Sequence, residues 1–252
     1  MDVAADVVSM LNHIKLENIL FLDIETAPQH SDLACLDEST KSLWEHKCST
    51  LCKDGQTPES IYEKAGIYAE FGKIICISVG FLHRLPDGKW ECRLKSCFDD
   101  DEQKLLRDFS GILGRFSKHR YNTMLCAHNG KEFDFPYIAR RMLINGLELP
   151  SAFEVAGKKP WETPFIDTME LWRFGDYKSY TSLKLLTHIF KIPSPKDDID
   201  GSQVATVYWK EKNLPRIVKY CEKDVLAIVQ LLLRYKGLEL IAEENICSTT
   251  EF

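Results

Sequence analysis

Residues 18–25, NILFLDIE, form a continuous apolar run that ends in two acids, Asp23 and Glu25. Such a run reads as a buried central strand. Two residues apart on a strand, both side chains project to one face. Burying them costs desolvation energy unless something positive neutralises them, and no lysine or arginine lies in the segment. The alternative is a strand that stops at Leu22 and leaves both acids solvated in a loop. A third acid, Asp224, falls inside an apolar helical stripe of Ile217, Cys221, Val225, Ile228 and Leu232, with Tyr220 one turn before it. An acid on the inward face of a helix is uncommon unless it pairs with a base or ligates a metal. Asp134, in Phe133-Asp134-Phe135-Pro136, stands just before a helix, where an acid also serves as a cap. Carboxylates are the ligands that hard divalent cations take.

The elements that must position these acids follow from periodicity. A polar, turn-rich stretch at 27–60 (Pro28, Gly55, Pro58) holds one helix near 40–47, and a short helix near 59–66 follows. Lys73–His83 is a second strong strand, and Trp90–Ser96 its hairpin partner across the Pro86-Asp87-Gly88 turn. Residues 101–118 carry Leu105, Leu106, Phe109, Ile112, Leu113 and Phe116 at helical spacing. A short strand at 122–127 leads into the His128-Asn129-Gly130 turn and a helix over 136–145, with Pro136 tolerated in its first turn. A strand at 165–167 and helices at 181–190, 202–211 and 214–236 complete the chain, the last two with Ser202 and Asn213 as N-caps. The order predicts a three-layer α/β domain with a mixed central sheet flanked by helices. The expected division is an N-terminal extension at 1–15, the domain at 16–238 with its polar excursion at 27–70, and a C-terminal tail at 239–252.

At 252 residues the chain fits one large domain, and 44% hydrophobic with 28% charged residues is the balance of a soluble globular protein. No run is long enough for a membrane span, and MDVAADVVSM lacks the pattern of a secretory signal, so a cytoplasmic protein is expected. Nine scattered cysteines without a CxxC argue against a zinc ribbon and for reduced, structural thiols. The net charge of −6 argues against a high-affinity, non-specific nucleic-acid coat. It weighs less against a nuclease, whose metal site would itself supply four of those negative charges.

Three segments in order, Phe21-Leu22-Asp23-Ile24-Glu25-Thr26, Asn129-Gly130-Lys131-Glu132-Phe133-Asp134 and Tyr220-Cys221-Glu222-Lys223-Asp224, resemble the exonuclease motifs of the DEDD superfamily, which has a ribonuclease H-like fold. The Tyr-x-x-x-Asp form of the third is that of the DEDDy branch. The second, followed by Pro136-Tyr137-Ile138, is most similar to the proofreading domain of family B DNA polymerases. FGKIICISVG, IDTMELWRFGDYK and IDGSQV also resemble a bacterial group of stand-alone exonucleases. The resemblance spans about residues 16–236 and leads us to expect a free-standing 3′→5′ exonuclease acting on the 3′ end of single-stranded DNA. An exoribonuclease of the same superfamily and a non-catalytic binding module on the same fold are the alternatives.

The resemblance further implies two divalent cations, Mg²⁺ or Mn²⁺. Asp23 would bridge both, Glu25 and Asp224 would serve the ion that activates water, and Asp134 the other. Tyr220 would hold the water in line, and Asn129, with Thr26 and Phe133 beside the acids, would contact the terminal nucleotide. Lys158 and Lys159, next to Trp161, suit a phosphate and a stacked base, or are an ordinary solvated pair. Arg140 and Arg141 either touch the strand or decorate an exposed helix. His128 is expected to be a structural hydrogen-bonder.

Overall fold

The computed structural model describes residues 11, 14–118, 120–176, 180–193 and 199–252. Most of the 1–15 segment and the end of the IDTMELWRFGDYK stretch lie outside the described residues. In chain order the main elements are β1 (Ile19–Pro28), α1 (Glu38–Leu51), β2 (Gly72–Arg84), β3 (Trp90–Phe98), α2 (Glu102–Lys118), β4 (Met124–Ala127), α3 (Asp134–Ile144), β5 (Phe165–Asp167), α4 (Thr168–Arg173), α5 (Leu183–Ile189), α6 (Val204–Thr206), α7 (Leu214–Tyr235) and β6 (Ile246–Ser248). The sheet runs β5-β4-β1-β2-β3-β6. β2 is antiparallel to both neighbours, and the other pairings are parallel.

Alternation along β1 sorts its side chains between two layers. Leu20, Leu22 and Ile24 pack with Leu105, Phe109 and Leu113 of α2 and with Phe135 and Ile138 of α3. Ile19 and Phe21 pack on the opposite face against Val225, Ile228, Val229 and Leu232 of α7. Each fully buried side chain of this size contributes about 1.5–3 kcal/mol. The three-layer expectation is met, and continued alternation puts Asp23 and Glu25 on the α7 face. Among the described residues no helix is long and apolar enough to cross a membrane.

Several expectations shift. β1 runs on to Pro28 through a bulge between Glu25 and Thr26, so it does not stop at Leu22. The excursion has a core of its own, with Trp44 fully buried among Leu33, Cys48, Ile61 and Tyr62 and its indole N–H donated to Pro58 O at 3.0 Å. The element at 202–211 is broken: a 3₁₀ turn at Gly201–Gln203, then α6, then a π-helical turn at Val207–Glu211. Its cap is Asp200, whose carboxylate accepts Ser202 N, and not Ser202 itself. Asn213 does cap α7, accepting Arg216 N. The C-terminal segment adds β6 beside β3.

Candidate active site

The site forms where the sheet loses a strand. β4 pairs with β1 only over Ile19–Phe21, so that edge of β1 is free from Leu22 onward. The backbone N–H of Ile24 would be left without a partner there, and it donates to Asp134 Oδ1 at 3.1 Å. Asp134 is therefore not a helix cap. It is the first residue of α3, and the N-cap position, Phe133, makes no side-chain capping bond.

The turn that delivers Asp134 is tightly specified. Asn129 has φ +61°, and a Cβ on Gly130 would come within 2.4 Å of the Ala127 Cβ, so a glycine is required. Asp167, at the end of β5, accepts Asn129 N at 2.9 Å, Lys131 N at 3.0 Å and Met169 N at 2.9 Å. One buried carboxylate thus clamps the turn and caps α4. The sequence reading missed Asp167. An acid between a short strand and a following Thr-Met-Glu is a cap signal, but the donors from the turn lie 36 and 38 residues away. His128 is the expected structural hydrogen-bonder, with Nδ1 2.9 Å from Thr168 Oγ1 and Nε2 2.9 Å from Thr181 O. Burial lowers its pKa.

α7 closes the site from the side of Asp23 and Glu25. The Cys221 thiol donates to the backbone oxygen and to Oδ2 of Asp23, each at 3.4 Å. Potential ligand atoms of Asp23, Glu25 and Cys221 all lie within 4.8 Å of one another. Burial holds Asp23 well above the usual carboxylate range, reinforced by the charges of Asp134, Glu25 and Asp224. Glu25 is raised by burial, then by Asp224, Cys76 and Asp134. Burial pushes Asp134 up to about 7, against the lowering effect of backbone N–H donors including that of Ile24. The Tyr220 hydroxyl is also raised, by burial, by the charges of Asp224, Glu25 and Asp23, and by its hydrogen bond to Asp224.

Among the described residues Asp23, Glu25 and Asp134 make no ion pair. A half-buried Asp23 beside the buried Glu25 and Asp134, with no cation paired to them among the described residues, fits a hard divalent cation as the balancing positive charge. Cys221 does not extend that oxygen set, because sulfur is a soft ligand ill-suited to a hard cation, and its thiol donates to Asp23.

The remaining expected substrate residues separate into two groups. Asn129 sits in the turn leading to Asp134, and its Oδ1 is buried without a hydrogen-bond partner among the described residues. Thr26 follows the β1 bulge, and Phe133 packs on the Tyr137 ring at 5.3 Å. Lys158 and Lys159 lie on an exposed turn, Lys159 Nζ 5.3 Å from the centroid of the exposed Trp161 ring, with no described bond to the acids. Arg141 is neither a strand contact nor surface decoration. It is buried and paired with Glu102, and it donates to Ala69 O at 2.8 Å. Arg140 is exposed.

A family model described as a predicted 3′–5′ exonuclease related to the exonuclease domain of PolB matches residues 67–246. Asn129, Asp134, Tyr220 and Asp224 fall inside the match, and Asp23 and Glu25 precede it. Among solved structures, the family B DNA polymerase from the hyperthermophilic archaeon Pyrobaculum calidifontis is similar, with a TM-score of 0.44 and 17% identity over 85% of this chain. The similarity covers 24% of that polymerase chain.

Proposed function

This chain belongs to the family of predicted 3′–5′ exonucleases related to the exonuclease domain of PolB, and from that premise we propose that it is a DEDDy-type, metal-dependent exonuclease trimming the 3′ end of single-stranded DNA. Asp23, Glu25, Asp134 and Asp224 would hold two divalent cations, Mg²⁺ or Mn²⁺. Such a pair, when bound, activates the attacking water and stabilises the leaving 3′ oxygen. The observation that carries this reading is the packing of the half-buried Asp23 with the buried Glu25 and Asp134, with no ion pair to any of them among the described residues.

The chain's own groups do the positioning. Tyr220 keeps its proton, and its phenol, anchored on Asp224, orients water and does not act as the base. The Asn129 amide, its Oδ1 without a partner among the described residues, would contact the terminal nucleotide. Asp167 acts through the turn and is a positioning residue.

The test is a time course on 5′-labelled single-stranded DNA with Mg²⁺ or Mn²⁺, an EDTA control and Asp224→Asn alongside. The expected result is a metal-dependent ladder of shortening products that Asp224→Asn abolishes. Partners of metal ligands alone are worth about 10–100-fold, so a ligand is expected to cost more. A ladder on RNA with DNA left whole would change the substrate. Asp224→Asn at wild-type rates would remove the site assignment, and both polymers intact would remove the activity.

A further inference from the structure

Past the end of β1, on the same face as the acids, lies a pocket of about 270 Å³ lined by Lys73, Asp100, Tyr208, Trp209, Lys212 and Leu214. Two ammonium groups meet there over aromatic faces. Lys212 Nζ sits 4.7 Å from the Trp209 ring centroid, and Lys73 Nζ is 5.9 Å from Trp209 and 5.2 Å from Tyr208. Among the described residues neither lysine makes an ion pair, whereas the neighbouring Lys210 pairs with Glu63 at 3.4 Å. The acid in the pocket makes no ion pair with either lysine among the described residues: Asp100 Oδ1 accepts the Tyr208 hydroxyl at 2.6 Å, and its backbone oxygen accepts Lys73 Nζ at 2.9 Å.

The pocket is built rather than incidental. Trp209 and Tyr208 come from the π-helical turn Val207–Glu211, a geometry that recurs at functional sites. Trp209 Nε1 donates to Pro28 O at 3.1 Å, which fixes the indole to the last residue of β1. Tyr208, Ala27 and Ile217 share one packed cluster with Tyr220, so the pocket and the acids have a common wall. Pro28 lies three residues beyond Glu25, about 10 Å at strand rise. Ammonium groups held on rings rather than on carboxylates keep their charge available to an external anion.

We propose that Lys73 and Lys212 bind a backbone phosphate of the single strand one or two nucleotides from the linkage being cut, an inference that rests on the exonuclease reading above. The phosphate adds counter-charge beyond that of Asp100, the one acid among the lining residues, and sets the strand's path across the end of β1.

Lys212→Asn tests this, because Lys212 is exposed and has φ +53°, a conformation asparagine tolerates. Steady-state kinetics on matched single-stranded DNA and RNA should give a KM raised about 5–10-fold with kcat nearly unchanged. The salt dependence of kcat/KM should flatten by about 0.7 in log–log slope, one single-strand phosphate. A neutral methylphosphonate placed at successive linkages should slow the wild type at one position to which Lys212→Asn is indifferent. An unchanged KM and slope, or equal sensitivity of both proteins at every linkage, would overturn the phosphate site and leave the exonuclease reading standing. A wild-type protein that cuts neither polymer would overturn both.

Discussion

Glu102 and Asp134 are buried to a similar degree, at 7% and 3% exposure, and each accepts a backbone N–H from a central strand, Ile74 N and Ile24 N. Their company differs. Glu102 also accepts Arg141 Nε at 2.9 Å and Asn145 Nδ2 at 3.0 Å, and Arg141 Nη2 completes a two-pronged pair. Asp134 has carboxylates for neighbours. The first cluster is closed, with its charge balanced inside the fold, where it ties α2, α3 and β2 together. The second has no such cation beside it among the described residues, and on the reading proposed above a divalent ion supplies the balance.

The largest expected effect comes from opening the closed cluster. Glu102→Gln removes the counter-charge of a buried guanidinium, and breaking one side of such a pair costs about 3–5 kcal/mol. Urea unfolding should show a lowered midpoint at constant slope, while specific activity of the folded fraction is retained. A Glu102→Gln protein as stable as the wild type would erase the distinction between the clusters.

Asp134→Asn is expected to act in the opposite direction. The folded-state pKa of about 7 lies above the ordinary 3.8. Metal-free stability from this group is therefore highest below the unfolded value and is lost as pH rises toward 7. A tenfold difference in proton affinity between folded and unfolded chains is worth about 1.4 kcal/mol. At pH 8 in EDTA, Asp134→Asn should accordingly be more stable than wild type by on the order of 1–2 kcal/mol, the weaker bond from Ile24 N to a neutral amide oxygen offsetting part of the gain. Divalent-ion affinity, measured by calorimetry, should weaken as pH falls through about 7 because a proton must leave Asp134 first. Asp134→Asn destabilising the metal-free protein as Glu102→Gln does would make the two clusters alike.

The strands and helices bearing these clusters were legible because their periodicity is local. NILFLDIE continues directly into its acids, and the α7 stripe exposes Asp224 as the odd member among apolar neighbours. What stayed hidden depends on pairing at a distance. The cap reading of Asp134 gives way only once β4 is known to leave β1 at Phe21, so that Ile24 N needs a partner 110 residues away. Arg141 follows an exonuclease-like motif and invites a role in binding, but its acid is 39 residues upstream. The excursion after β1 reads as polar because one tryptophan, Trp44, organises a core too small to impose a period. α4 and β6 are six and three residues long, below the length at which periodicity speaks.

Tyr220 probes the open cluster most gently. Its hydroxyl bonds to Asp224, and the surrounding carboxylates with burial hold its pKa above the ordinary value, so it stays neutral throughout the working range. Tyr220→Phe keeps the ring, which packs beside Ile217 and Tyr208, and removes one hydrogen bond to a carboxylate. Such a bond is worth about 1.5–3 kcal/mol when the partner is charged. Part of that loss is offset by relieving the burial of a polar group, so the expected fall in kcat is about tenfold, with divalent-ion affinity little changed. The shape of the pH–rate profile should be the same in both proteins, because the acidic limb belongs to the carboxylates. Loss of a basic limb in Tyr220→Phe would instead make the phenol a titrating participant, and the open cluster would then contain a base supplied by the chain itself.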